Sequence, residues 1–376
     1  MSHASSERRL RVRRAHSDSV VESDAVNELV RELDVEGASV VIFFCSPKYD
    51  LERLGQALAA AISAPLVGCT SAGQIAPGGY VKGGITAVSL TSPELRVTLH
   101  PLTSLVDSAA VSDVGYRAVA SLVNSPSKRG FGLLLLDGLA NAEELVTATL
   151  YESLGDVPIV GGSAGDDLCH SATFVFDGER FRSGAGVFVL CETSLPFATF
   201  KVQHVAPGEA QIVVTEADAE HRLVQELNGK PAAAEYARLL GVPASELTPV
   251  LCGQHPLVLS LGDEHFVRGV RTVNPDGSLT FSCAIETGLI LSLGTPLDPM
   301  LSLAEGLAAA EQRVEIPELV LAFDCVTRRL ELERRGQLDA VSAYLAARGV
   351  IGCGTYGEQF DAFHVNQTLT AVAIGS

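Results

Sequence analysis

Ser163 lies in Gly161-Gly-Ser163-Ala-Gly165, the spacing of a nucleophile elbow. That chemistry needs the serine on a sharp strand-to-helix turn, with a histidine and an acid brought to it from elsewhere in the chain. The strand before Ser163 is present. The residues after it, Asp166-Asp-Leu-Cys-His170 and then Thr173-Phe-Val-Phe176, read as turn and strand. Small residues there let the backbone turn tightly beside a ligand or a neighbouring strand. A Ser163-dependent hydrolase is the enzymatic alternative. Gly352-Cys-Gly354-Thr-Tyr-Gly357 has dinucleotide-loop spacing, but only 19 residues come after it and they end in a strand, so no helix opens there to hold a pyrophosphate. The eight cysteines contain no C-x-x-C pair, which gives zinc-ribbon or iron–sulfur chemistry little support. Most of them sit in apolar stretches and read as reduced core thiols.

These glycine turns belong to a repeated unit. Three times an apolar run ends in a small or acidic turn, a helical segment comes next, and a second apolar run stops in a glycine-rich loop. The runs are Val40–Cys45 with Pro65–Gly73, Gly132–Asp137 with Pro158–Gly165, and Leu319–Cys325 with Val350–Gly357. The offset from the end of each first run to the first loop glycine is 23, 24 and 27 residues, the length of a parallel β-α-β crossover. Continuous apolar strands with amphipathic helices between them predict sheets covered by helices. Alternating strands succeed each loop. The fold expected is therefore α/β, with mixed sheets built from repeated β-α-β units, glycine-rich loops at strand ends, and two domains packed together. Corresponding loops place backbone N–H groups and the hydroxyls of Thr70, Ser71, Ser163 and Thr355 where they can converge on a ligand. Nothing in them activates a nucleophile, which favours binding over catalysis.

Between the second and third units, strands are predicted at Phe200–Val205, Gln211–Thr215, Leu257–Ser260, His265–Arg271, Leu279–Phe281 and Gly288–Leu293, with helices at Ala232–Leu240 and Pro299–Glu311. Asn274-Pro-Asp-Gly277 is a hairpin turn, and Asn228-Gly-Lys-Pro231 is the best place for a domain seam. The expected division is a mobile basic arm over 1–36, one domain over 37–227 and a second over 228–376.

A formal charge of −18 repels phosphate backbones and anionic lipid, so nucleic acid is not an expected partner. Arg8, Arg9, Arg11, Arg13 and Arg14 form the one basic run and read as a solvated tail. The arm has no signal-peptide apolar stretch, and no apolar run is long enough to span a bilayer. A soluble cytoplasmic protein is expected.

Gly68-Cys-Thr-Ser-Ala-Gly73 and Gly161-Gly-Ser-Ala-Gly-Asp166 resemble the N-terminal FIST domain. Phe323-Asp-Cys325 with Arg328, Gly354-Thr-Tyr-Gly-Glu358 and Asn366-Gln-Thr368 resemble the C-terminal FIST domain. The resemblance implies a signal-transduction input module that binds a small ligand, with Tyr356 and Glu358 beside Thr355 among the ligand-binding residues. Phe43-Phe-Cys-Ser46, His204-Val-Ala-Pro207 and Leu227-Asn-Gly-Lys-Pro231 are similar to the nitric-oxide-sensing, haem-binding branch of that family. One departure is Gln74, where many relatives carry Glu. That branch implies haem as cofactor, nitric oxide as ligand, and a histidine kinase or cyclic-di-GMP enzyme as partner. Haem iron needs an axial donor in an apolar pocket. His204, beside the turn at Pro207, is the first candidate for haem iron, with His364, His170 and His100 behind it. Arg268 and Arg271 flank an apolar strand, where they either pair with haem propionates or a carboxylate ligand or stand exposed on the strand face. Two further readings stand beside the haem sensor: a FIST module for amino-acid-like metabolites without haem, and the Ser163 hydrolase.

Overall fold

The computed structural model describes residues 9–376. Its architecture is mixed α/β, and the repeat extends further than the sequence pattern reveals. Each unit has an edge strand, a helix, a first inner strand, a crossover, a second inner strand parallel to the first, a short hairpin and an antiparallel return strand. The first unit runs from Arg11–Ser17 through Val40–Cys45 and Leu66–Thr70 to Ile85–Thr91. The second runs from Leu95–Leu102 through Gly130–Leu136 and Ile159–Ser163 to Gly186–Thr193. The third runs from Phe197–Gln203 through Pro317–Cys325 and Val350–Thr355 to Thr368–Gly375, with an inserted body between its edge strand and its first helix, Pro299–Val314.

Three six-stranded sheets result, and each takes its outer hairpin from another unit. The pair Val175–Phe176 and Phe181–Arg182 extends the first unit's sheet by pairing Val175 with Cys69. The pair Glu358–Phe360 and Phe363–Val365 extends the second unit's sheet, Gln359 opposite Gly161. The pair Gln74–Ala76 and Gly79–Val81 extends the third unit's sheet, Cys353 opposite Gln74. The exchange is cyclic.

Side-chain alternation explains why the inner strands read as unbroken apolar runs. Val40, Ile42 and Phe44 join Leu133, Leu135, Leu321 and Phe323 in one central core. Their neighbours Val41 and Phe43, Leu134 and Leu136, and Val320 and Ala322 face outward into three separate layers beneath the helices. Phe44 meets Phe323 edge to face, ring centroids 6.0 Å apart. The second inner strands carry Gly68, Gly161 and Gly352 in matching register opposite Phe43, Leu134 and Ala322. A Cβ at these glycines would lie 2.3, 1.9 and 1.8 Å from the facing carbonyl oxygens, closer than any real side chain approaches backbone. That is why the sequence repeats an aliphatic-aliphatic-glycine ending.

The inserted body spans Val205–Asp218 to Ile290–Pro296 and has its own apolar core, with Tyr236, Phe266 and Phe281 at its centre. Its eight-stranded sheet bends along the long strand Val205–Asp218 at register shifts between Pro207 and Gln211 and around Glu216. The helix Ala232–Leu240 and the turn Asn274–Gly277 stand where the sequence places them. The strand expected over His265–Arg271 is instead two, Glu264–Arg268 and Val270–Val273, and the chain leaves the ladder at Gly269.

One expectation is corrected. Residues 11–32 are not a mobile arm: Arg11–Ser17 pairs along its whole length with Ile85–Thr91, and the helix Glu22–Glu32 buries Ala25, Val26 and Leu29. Arg11 and Arg13 point outward from one face of an edge strand, while Arg14, on its other face, is partly buried and donates to Glu318 O at 2.6 Å, so the basic run is divided between two faces of a strand. Arg8 lies outside the described residues. At the expected seam, Leu227 pairs with Lys230 across the Asn228-Gly229 turn. No helix among the described residues is long and apolar enough to cross a membrane.

Candidate functional site

The three glycine loops meet. Gly165 N–H donates to Thr70 O at 3.1 Å, Gly354 N–H to Gly73 O at 2.7 Å, Ala72 N–H to Gly354 O at 2.9 Å, and Ser163 N–H to Gly357 O at 2.8 Å. This contact is too close to leave a binding space. A Cβ on Gly165 would sit 2.8 Å from Ala72 N. Thr70, Ser71, Ser163, Thr355 and Glu358 are brought together as expected, but all five are buried and spend their polar groups on one another and on nearby protein groups. Ser71 Oγ donates to Cys45 O and accepts from Gln74 Nε2; Ser163 Oγ accepts from Gln359 Nε2 at 2.8 Å; Thr355 Oγ1 donates to Glu358 Oε1 at 2.6 Å. Burial pushes the Glu358 carboxyl up to about 8, with the Thr355 and Thr368 hydroxyls opposing. Gln359 stands between Ser163 and His364, and a carboxamide takes no proton from a serine. The loops are the keystone of the fold, and Ser163 lacks the geometry of an elbow.

Beside this keystone lies a cavity of about 210 Å³ between the inserted body and the second and third units. The second unit supplies the loop Gly138–Glu143 and His170, and the third supplies one face of the helix Val326–Arg334, Tyr356, Asn366 and Gln367. The inserted body contributes Arg222, the helix start at Pro249-Val250, and Arg271. Of the glycine-loop residues expected to bind a ligand, Tyr356 alone lines the cavity, beside His170 and Arg271. Its hydroxyl donates to Asp166 and accepts from Leu168 N–H, and its ring carries the His170 ring stacked at 4.7 Å. Burial opposes charge on Asp166, yet Tyr356 and the N–H groups of Ser171, Ala172 and His170 hold it below the usual aspartate range. This anchored turn bends through positive φ at Asp167, Leu168 and His170, an unfavourable conformation for residues other than glycine that persists where the surroundings enforce it.

Arg222 bridges the cavity rim from the inserted body to the second unit, with Nη2 2.7 Å from Glu143 and 2.6 Å from Glu144. Ala284 N–H also donates to Glu144. Burial disfavours the charge on Arg222, and the two carboxylates more than offset it. At the floor, burial and the nearby Glu358 keep the Cys325 thiol protonated.

The residues expected to hold haem do not fit that group. His204 is wholly buried, its Nε2 2.7 Å from Glu331 Oε2, and it does not line the cavity. Pro207 lies on the long strand opposite Gly294. Arg268 is buried beside Cys283 rather than exposed, and does not line the cavity. The cavity is also smaller than the roughly 300 Å³ at which pockets for drug-sized ligands begin, and a haem macrocycle is bulky. His170 is the histidine on the cavity, His364 is buried against Gln359, and His100 stands on an outer strand of the second sheet. Among the described residues no group of three or more His, Cys, Asp or Glu is placed to hold a metal ion.

A cyclic three-unit core and an inserted body joined to its third unit enclose a largely apolar cavity edged by charged groups. The chain belongs to the FIST proteins: the FIST N domain matches residues 39–230 and the FIST C domain residues 232–361. The two matches meet at the Asn228–Pro231 turn, although the compact bodies divide elsewhere. FIST domains mark a sensory or small-ligand-binding signalling module. No protein of curated function matches the sequence. Among solved structures the chain is similar to a cyanuric acid hydrolase from A. caulinodans, with 9% identity over 98% of this chain and 99% of that one, at a TM-score of 0.37. It is similar also to a chorismatase, with 10% identity over 98% and 99% of the two chains, at a TM-score of 0.36. Likeness at that level carries nothing about activity.

Proposed function

We propose that this FIST protein senses a small polar metabolite held in the cavity between the inserted body and the core, without transforming it. The observation that carries the reading is the cavity's construction from both bodies, with Arg222 crossing its rim to Glu143 and Glu144. A ligand there touches two bodies at once and biases their relative position, which is how a binding event becomes a signal. Ser163, sealed against Gln359, supports binding over hydrolysis, and an active-site-directed phosphonate should leave it unlabelled. The amino-acid-like alternative fits the cavity's size and the charged groups that edge it. The nitric-oxide reading, with a histidine kinase or cyclic-di-GMP enzyme as output, rests on the resemblance alone. A Soret band in protein purified with ample haem would restore it. The direct test is a thermal-shift screen of small metabolites against the native chain and Val250→Trp, which fills the cavity from a half-exposed position. A metabolite that stabilises the first and not the second is the ligand; the absence of any such metabolite would remove the reading.

A further inference from the structure

The charge of the cavity wall narrows the ligand's chemistry. Three guanidiniums line it, those of Arg222, Arg271 and Arg334, against one carboxylate, Glu143, which Arg222 already neutralises. Arg271 comes from the inserted body and Arg334 from the helix Val326–Arg334 of the third unit. Neither has an ion-pair or hydrogen-bond partner among the described residues. Two unbalanced cations share one small cavity in a chain of formal charge −18, where acidic neighbours are plentiful. Two helices also begin at the cavity, Val326–Arg334 after Cys325 and Glu143–Leu154 after Ala142, and neither has a side-chain cap among the described residues. Their first N–H groups and dipoles favour negative charge.

A second observation is independent of these. Asn366 and Gln367 are 2% and 4% exposed, line the cavity, and leave Oδ1 and Oε1 without a hydrogen-bond partner among the described residues. Buried carbonyl-type oxygens are costly to leave unmet, and a hydroxyl or ammonium donor on a ligand would satisfy them once the two side chains turn toward the cavity they line.

We infer that the cavity takes a small dicarboxylate bearing a hydroxyl or amino group, its two negative charges balancing Arg271 and Arg334. This rests on the cavity being the sensory site. Charge balance favours two anionic groups over one, because a monocarboxylate leaves one guanidinium uncompensated. A dicarboxylate that engages both arginines also ties the inserted body to the core helix.

Isothermal titration of the full chain with L-malate, L-aspartate, succinate, L-lactate, L-alanine and L-lysine tests this. L-malate or L-aspartate should bind tightest, and succinate more weakly for want of the donor. Arg271→Gln and Arg334→Gln should each weaken that binding tenfold or more, with the circular-dichroism spectrum unchanged because both side chains are exposed. If L-alanine or L-lysine binds instead, is blocked by Val250→Trp and ignores both arginine changes, the dicarboxylate is overturned while the sensory cavity stands. If a dicarboxylate binds but neither arginine change nor Val250→Trp affects it, both fall. If nothing in the panel binds, the dicarboxylate falls, and the wider metabolite screen decides the cavity.

Discussion

The ring of His170 lies on the ring of Tyr356, centroids 4.7 Å apart and planes 29° from parallel, so one aromatic pair joins the second unit to the third at the cavity's edge. The same tyrosine anchors Asp166 through its hydroxyl. Tyr356 thus fixes a strained turn and a cavity wall together.

Tyr356→Phe should therefore loosen residues 166–172 while keeping the ring stack. Loss of a hydrogen bond to a carboxylate costs about 1 to 2 kcal/mol at a partly exposed position. Asp166 has a depressed native pKa, so its contribution is present above the unfolded aspartate range and is lost as pH falls through the native value. The variant should show a smaller loss of stability on acidification and faster proteolysis between Asp167 and Leu168. Unchanged protection of that turn would show that Tyr356 does not hold it.

Glu358 works in the opposite sense. Its native pKa is raised to about 8, so between the unfolded glutamate range and that value the native state holds a proton the unfolded state has lost. Stability should fall as pH rises through this window. Glu358→Gln keeps acceptor and shape without the titration, and urea midpoints measured at pH 6 and pH 8.5 should lie closer together in the variant than in the native chain.

His204→Ala separates an axial ligand from a structural residue. In the structure the change leaves Glu331 without its imidazole, although Arg335 still pairs with it at 2.6 Å. A loss of roughly 2 kcal/mol in stability is expected, read by urea unfolding, with affinity for the cavity ligand changed little.

Gly161→Ala places a methyl group against Leu134 O in a sheet with no room to shift. Overpacking of this kind costs about 3 kcal/mol or more. Gly68→Ala and Gly352→Ala should cost about the same, because the three sites are equivalent. A much milder effect at one of them would mean that its unit is packed less tightly than the other two, and thermal unfolding of the three variants makes the comparison.

The sequence disclosed the three crossovers because each inner strand is buried on both faces and each second inner strand needs a glycine at its third residue. It hid the edge strand Arg11–Ser17 and the helices Glu22–Glu32 and Ser108–Asn124, whose half-exposed residues carry weak periodicity beside the apolar runs. It hid the exchanged hairpins too, since pieces of two or three residues pair with partners far along the chain, as Gln359 does with Gly161. The convergence of Thr70, Ser163 and Thr355 was legible, but their distance from solvent was not, because a hydroxyl in a glycine loop reads alike whether it faces a ligand or a neighbouring carbonyl. Among cavity residues Tyr356, His170, Arg271 and the Asn366-Gln367 pair were within reach of sequence reasoning. Arg334 was not, since an arginine on a helix acquires meaning only from what stands opposite.

The circular lending of hairpins has a consequence for dissection. A fragment ending at residue 230 carries Gln74–Val81 with no sheet to receive it, and its second sheet lacks the edge that Glu358–Val365 provides. Neither half should be soluble alone, and the two co-expressed should reconstitute one particle. Gene fission would be tolerated here only where both pieces are made together.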